Sequence, residues 1–308
     1  MIITRLLGGL GNQMFQYAAG LALAERRRTV LKLDVSWFRE YEEFEAHNRY
    51  ALSCFNVTEQ FATQEEIDRV RGVALTRTER WSLRFARLLR LQGFVRRSTS
   101  RGCVYQQTKH VVEPTFFQLP DQTYLDGMFQ SEEFFRPSSE LLGLHFSFRY
   151  PPQPEVAEMA ERIRSGPSAA LHFRRGDYTR NASFSSKIGV IDANYYERAV
   201  QMLRERSPQA VLYIFSDDIE AVSREFTPPG PHVFVRCVQP WHSYDKIRLM
   251  ALCEHIAIAN STFSWWAAWL NRNPAKLVIA PDPWFADPSL PTPDLVPKNW
   301  RRLSRIAG

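Results

Sequence analysis

Four times in the second half of the chain, a short apolar run that reads as a strand ends in a cluster of polar residues. The runs lie at 168–173, 211–215, 255–259 and 277–280, with helical periods at 154–164, near 193–206 and from about 262 to 271. Strands alternating with helices predict an α/β fold on a mostly parallel sheet. In such sheets ligands bind just outside the carboxyl ends of the strands. The clusters stand there: His172-Phe-Arg-Arg-Gly-Asp-Tyr178, Ser216-Asp-Asp218, Asn260-Ser-Thr-Phe-Ser-Trp-Trp266 and Pro281-Asp-Pro-Trp284. Four clusters at equivalent positions point to one site.

The first half opens as a βαβ unit, with a strand from Ile2 to Leu7, a turn over Gly8 to Gly11, a helix from Asn12 to Arg26 and a strand from Thr29 to Asp34. Met14, Phe15, Ala18, Leu21, Ala22 and Leu23 recur at the intervals of a helix laid on a sheet. Further on, helices are predicted at 64–71 and 78–92 and strands near 103–105 and 123–126, in an order the sequence leaves open. The proline-punctuated passage Tyr150-Pro-Pro-Gln-Pro is the expected boundary. At roughly 100–200 residues per domain, the 308 residues divide into domains of 1–150 and 151–308. Two domains imply a cleft.

Hydrophobic content of 44% with 23% charged residues is ordinary globular composition, which excludes disorder. No window approaches the roughly 18 apolar residues of a membrane span, and the start of the chain is too glycine-broken for a signal peptide. A cytoplasmic protein is expected. Cys54, Cys103, Cys237 and Cys253 show neither CxxC nor His/Cys ligand spacing, and all four read as core thiols. The net charge of +6 favours an anionic partner. Much of it lies in Arg77, Arg80, Arg84, Arg87, Arg90, Arg96, Arg97 and Arg101, several of them opposite Trp81, Phe85, Leu88 and Leu89 on a helical wheel. That pattern fits a surface helix on the core, or a docking face for anionic lipid. No helix-turn-helix, RNP strand or zinc-finger spacing accompanies the charge, so nucleic acid is not expected.

Within the first cluster, adjacent residues at the end of a strand face opposite ways, so Arg174 and Arg175 should have different tasks. A guanidinium can grip a diphosphate and stabilise charge on a departing nucleotide. Gly176 permits close backbone approach, and Asp177 can pin an arginine or accept a proton. The alternative is an Arg–Asp bridge that closes the loop. Asn260, Ser261 and Thr262 precede a helix, where amides and dipole favour an anion and a hydroxyl can equally cap the helix. Trp265, Trp266 and Trp269 are read as packing residues. Asp245, on a helix expected over 243–252, is either a receptor for the donors of a guanine ring or a solvated helix residue.

The turn Gly8-Gly-Leu-Gly-Asn-Gln13 supplies Gly9-x-Gly11, but Met14 occupies the third glycine position of GxGxxG. Asp34, ending the second strand, imitates the ribose-binding acid of a dinucleotide fold. An NAD-linked oxidoreductase is therefore a rival reading, as is a non-catalytic carbohydrate- or membrane-binding protein resting on the arginines and tryptophans.

Taken together, the motifs resemble the α-1,2-fucosyltransferases, glycosyltransferase family eleven. The carriers are Gly8-Gly-Leu-Gly-Asn-Gln-Met-Phe-Gln-Tyr17, Asp126-Gly-Met-Phe-Gln-Ser-Glu132, His172 to Tyr178, Phe215-Ser-Asp-Asp218 and Asn260 to Trp266, spread over nearly the whole chain. Met128, where the family usually has an aromatic residue, and Thr262, where serine is usual, are small departures. The resemblance implies a GT-B-like fold, two Rossmann-type domains facing across a cleft, with the donor on the C-terminal one and the acceptor side on the N-terminal one. By similarity to α-1,6- and protein O-fucosyltransferases, Arg174 contacts the diphosphate and His172 lies by the nucleotide. In the α-1,6 enzymes an aspartate sixteen residues before a serine holds guanine, a separation shared by Asp245 and Ser261. A similar N-terminal turn nominates Asn12 for the reaction centre, with Gly11 and Gln13 beside it in the donor-binding set.

The implied reaction is inverting transfer of L-fucose from GDP-β-L-fucose to the 2-hydroxyl of a terminal galactose on a glycan acceptor, such as a surface-polysaccharide precursor. Asp217 and Asp218 are adjacent rather than spaced as DxD, so no metal and no cofactor is expected. Asp177 is the first candidate base, although two neighbouring arginines lower a carboxylate's pKa and make it a poor one. Glu132 and Asp126 are the reserves.

Overall fold

The computed structural model describes residues 1–40, 49–72, 95–98, 102–175, 188–237 and 241–305, with 95–98 described by backbone alone. The chain forms two compact units, Met1–Arg149 with Pro293–Leu295, and Tyr150–Thr292 with Val296–Gly308. The break after Arg149 falls where two consecutive prolines deny the chain backbone donors.

The first unit runs β1 (Ile2–Arg5), α1 (Leu10–Arg27), β2 (Leu31–Asp34), α2 (Ser36–Glu40), α3 (Gln64–Arg71), β3 (Val95–Ser98), β4 (Cys103–Gln106), β5 (Thr123–Asp126) and α4 (Ser139–His145), with short 3-10 turns between them. Its sheet has the order β2-β1-β5-β4-β3. All pairs are parallel except β3 with β4. The fully buried Ile3 and Tyr124 of the sheet and Ile67 and Val70 of α3 form one core cluster. Helix α3 begins with a capping box: Thr63 accepts from the Glu66 amide, and Glu66 accepts from the Thr63 amide.

The second unit runs α5 (Pro154–Arg164), β6 (Ser168–Phe173), α6 (Ala193–Arg206), β7 (Val211–Ser216), α7 (Ile219–Glu225), β8 (His232–Phe234), α8 (Asp245–Leu252), β9 (His255–Ala257), α9 (Thr262–Leu270), β10 (Val278–Asp282) and β11 (Arg301–Ser304). Its six strands are parallel, in the order β11-β10-β9-β6-β7-β8. Read from β8, this is the 3-2-1-4-5-6 order of the doubly wound fold, whose strand order reverses between β6 and β9. Every side chain of β6 is buried, as a central parallel strand requires. Phe173 stacks on Tyr196 of α6 with ring centroids 3.7 Å apart, and the Tyr195 hydroxyl donates to the Ile258 carbonyl at 2.7 Å.

The expected α/β fold and its parallel sheets are present. Strand β8, helix α7 and strand β11 had no sequence signal: β8 spans three residues, and β11 reads Arg-Arg-Leu-Ser with little apolar content. The helix expected at 78–92, with its arginines, lies outside the described residues, while Arg96 and Arg97 belong to β3. Trp265 and Trp266 are fully buried, as packing residues should be. Cys54, Cys103 and Cys253 are buried, but Cys237 is exposed, because it follows β8 at the sheet edge and not in the core. No helix among the described residues is long and apolar enough to cross a membrane.

Candidate active site

Strand β6 delivers the densest set of polar side chains. His172 is held at 2% exposure, and burial is the first cause that pushes its pKa down to about 3, with Asp217 opposing and Arg174 and Lys246 reinforcing. The imidazole is therefore neutral at neutral pH. Its Nδ1 is buried and meets no hydrogen-bond partner among the described residues. Beyond it the two arginines part as strand alternation requires. Arg174 Nη1 lies 3.1 Å from Asp217 Oδ2, whereas Arg175 Nη2 lies 3.0 Å from Glu225 Oε2 at the end of α7. The Arg175 amide donates to Asp217 Oδ1 at 2.8 Å. The Arg175 guanidinium thus reaches α7, while its main-chain amide joins the Arg174 cluster. Asp217 does what was expected of Asp177, fixing an arginine; Asp177, with Gly176, lies outside the described residues. Asp218 caps α7 by accepting from the Ala221 amide at 3.0 Å.

From β7's other neighbour, α8, come Asp245 and Lys246. Asp245 is 1% exposed; its Oδ2 accepts from the His242 amide at 3.0 Å, and its Oδ1 lies 3.4 Å from Arg248 Nε without a hydrogen bond among the described residues. A carboxylate so buried is not the solvated helix residue of the alternative reading. Lys246 Nζ donates to the Ser216 carbonyl at 2.6 Å. Lys246 carried no signal beyond standing next to Asp245.

Across the strand-order reversal, β9 leads into α9. Ser261 is its N-cap residue, yet the side chain makes no capping hydrogen bond, so capping does not account for this serine. Thr262 opens the helix, and the Phe263 ring lies 6.2 Å from that of His172. Asn260 follows β9 on the same side, and its amide nitrogen is engaged by main chain. Its Nδ2 donates to the carbonyls of Ile188 and Gly189 at 3.0 and 3.1 Å, which makes it a brace for the segment entering α6. Arg305, just past β11 and 6% exposed, joins it, donating to Ile188, Trp284 and Val190 carbonyls at 2.8–3.1 Å. A lone arginine near the end of a chain gives a sequence reader nothing to act on.

The first unit has its own reversal, between β1 and β5. Gly8, at φ +73°, turns the chain into α1, and a Cβ on it would meet Asn12 Nδ2 at 2.8 Å. Asn12 Oδ1 accepts from Gln130 Nε2 at 3.0 Å, which brings together the first and second motifs. Gln13 is fully buried, with Nε2 donating to the Gly8 and Arg49 carbonyls at 2.8 Å each and Oε1 accepting from the Ala51 amide at 2.9 Å. Those bonds tie the side chain into the framework of the turn. Gly11 is likewise buried, inside the first turn of α1 and not in the turn before it. The reserve bases are both engaged: Asp126 Oδ2 lies 3.5 Å from Arg5 Nη1, and Glu132 Oε1 lies 3.0 Å from Arg136 Nη2.

Asp34 removes the footing of the dinucleotide reading. It is 2% exposed, with Oδ1 accepting from the Ser36 amide at 2.9 Å and Oδ2 from the Tyr124 hydroxyl at 2.6 Å. Burial, first, and then Asp34 hold the Tyr124 pKa well above its ordinary value, so this hydrogen bond stays protonated. No oxygen of Asp34 is left pointing at a ribose.

A doubly wound unit that gathers arginine, lysine, a buried carboxylate and a helix N-terminus without a side-chain cap around its strand-order reversal has the construction of a nucleotide-binding unit. A family model described as "Glycosyl transferase family 11" matches residues 108–304. The chain belongs to glycosyltransferase family 11. It is 30% identical to an α-1,2-colitosyltransferase of Escherichia coli over 99% of both chains. It is 29% identical to the O-antigen biosynthesis glycosyltransferase WbnK of the same species, over 91% of this chain and 94% of that one. Among solved structures, fucosyltransferase NodZ from Bradyrhizobium aligns over 94% of this chain and 95% of its own, with 14% identity and a TM-score of 0.48, too distant to argue from.

Proposed function

We propose that the enzyme moves L-fucose from GDP-β-L-fucose to the 2-hydroxyl of a terminal galactoside, with inversion. The observation that carries this is the cluster at the reversal of the second unit: Arg174 at the end of β6, neutral His172 before it, and the uncapped N-terminus of α9 on the other side. In the transfer the bond from C1 of fucose to the β-phosphate oxygen breaks, and its electron pair leaves with GDP. The galactose oxygen bonds to C1 from the opposite face and its proton departs. Arg174 and the α9 amides oppose the charge growing on the diphosphate. Asp245 receives the ring N–H and amino donors of guanine, with Ser261 and Thr262 toward phosphate. Asn12, held by Gln130, orients the acceptor. Asp177 is the proposed proton acceptor on the strength of its place in the motif alone.

The reaction as proposed needs no metal, since Asp217 is bound to Arg174 and Asp218 to the α7 terminus. The colitosyltransferase relative favours a second donor. Colitose is fucose without its 3-hydroxyl, so one site can take either sugar. We also place the work at the cytoplasmic face of a membrane, on the arginines between positions 77 and 101; flotation with anionic but not neutral vesicles is the test. For the chemistry, purified enzyme with GDP-fucose or GDP-colitose, a galactoside panel and EDTA should give an α-1,2-linked product by NMR. A different linkage, or activity abolished by the chelator, would overturn the corresponding part.

A further inference from the structure

Two cations from different elements meet consecutive residues at the end of β7. Lys246 Nζ is on the Ser216 carbonyl at 2.6 Å, and Arg174 Nη1 is 3.1 Å from Asp217 Oδ2. Their compensation differs: Arg174 faces a carboxylate, while Lys246 has a neutral carbonyl and no carboxylate partner among the described residues. Lys246 also stands in the first turn of α8, where a positive charge opposes the helix dipole. The carbonyl bond is therefore what the fold gains from this charge, with no ion pair beside it among the described residues. Nearby, His172 is 2% exposed with Nδ1 lacking a partner among the described residues. An ammonium held by a neutral carbonyl, beside a buried imidazole nitrogen with no hydrogen bond among the described residues, suits an anion with acceptor oxygens.

We propose that Lys246 is a second diphosphate-binding cation of the donor site, beside Arg174. This rests on the GDP-sugar reading. Lys246 rests on the Ser216 carbonyl, and on donor binding it exchanges that neutral acceptor for a phosphate oxygen. The exchange is favourable because a hydrogen bond in which both partners are charged is stronger than one to a neutral carbonyl, and a point charge on a flexible stem can make it without disturbing α8.

The test is calorimetric titration of GDP and of guanosine into wild type, Lys246→Gln and Lys246→Arg. Glutamine can still donate to the Ser216 carbonyl but carries no charge. The expected result is an about tenfold to hundredfold loss of GDP affinity in Lys246→Gln, guanosine binding unchanged, and recovery of most of the loss in Lys246→Arg. Unchanged GDP affinity, or equal losses for GDP and guanosine, would overturn the proposal and leave Lys246 a framework residue. A wild type that binds neither ligand would instead bring down the GDP-sugar reading and this inference with it. Should Lys246→Gln fail to fold, acetylation footprinting of wild type serves: GDP, but not guanosine, should protect Lys246, and absence of that protection counts against the proposal.

Discussion

Where β1 meets β5 in the first unit and β6 meets β9 in the second, one topology has been furnished in two ways. The first is lined with neutral amides held mostly by main chain, with Gln130 Oε1 buried and without a hydrogen bond among the described residues. Gln13 makes three bonds to main chain, Gln16 Oε1 accepts from the Leu7 amide at 3.0 Å, and Gln107 Oε1 accepts from the amides of Met128 and Phe129 at 3.0 and 2.8 Å. The last pair holds Phe129 at φ +51°, a conformation that a bulky residue reaches only when its surroundings fix it. The second reversal is lined with charges, and buried atoms of His172 and Asp245 have no hydrogen bond there among the described residues. Neutral amides bonded to main chain define shape and contribute stability, while charged groups at a strand-order reversal can spend their interactions on a ligand. The difference predicts that damage to the first unit's glutamines will register mainly as lost stability, and damage to the second's charges as lost turnover.

The largest effect should come from Arg174→Ala, with kcat/KM falling about 10²–10³-fold and the melting temperature nearly unchanged, since the side chain is a quarter exposed. Arg175→Ala, one residue on, should cost far less turnover, because its guanidinium faces Glu225. Equal losses at the two positions would break the assignment of opposite tasks. Next comes Gln13→Ala. Removing this amide leaves buried carbonyls of Gly8 and Arg49 and the Ala51 amide without it, and should destabilise by about 2–4 kcal/mol in urea unfolding. The kcat of the folded fraction should hold; a kcat collapse without lost stability would make Gln13 a ligand contact after all.

The same contrast explains what could be read in advance. Strands β6 and β7 and helices α5, α6 and α9 were legible because long apolar periods ended in turn or polar signals, and His172, Arg174 and Asp245 because charged groups at strand and helix ends are conspicuous. Gln13 and Asn260 show the limit of such a reading: an amide's spacing does not reveal which main-chain groups it will also bond, and both bond main chain in the structure. Asp34 misled similarly, since its partner Tyr124 is ninety residues away. Lys246 and Arg305 were invisible because their partners are carbonyls, which any residue supplies. Sequence shows the chemistry of a group but not its long-range partner.

Third in size is the pH dependence that His172 imposes. Its folded pKa of about 3 lies below the ordinary value near 6.5, so between these the unfolded chain binds the proton and the folded one does not. The contribution is intact above about pH 6.5 and is lost as pH falls toward 3, at up to about 1.4 kcal/mol per unit. Unfolding free energies of wild type and His172→Phe, measured from pH 7 to 4, should diverge in slope by that amount, the variant being the flatter. Parallel curves would mean that the imidazole titrates normally and is not the buried neutral group described.

The smallest expected effect sharpens the comparison most, because it probes whether the first unit's framework is only framework. Gly8→Ala meets a positive φ and places a methyl 2.8 Å from Asn12 Nδ2, so the backbone strain should cost about 1 kcal/mol. The functional consequence runs through Asn12. To admit the methyl its amide must turn, and the bond from Gln130 at 3.0 Å must lengthen or break. If Asn12 orients the acceptor, KM for the galactoside should rise several-fold while GDP affinity, set in the other unit, stays as it was. Asn12→Ala should reproduce the KM effect without the loss of stability, and combining the two changes should add little to KM, since both act through one side chain. A change in GDP affinity instead would assign the glycine turn to the donor and erase the division of labour between the two reversals.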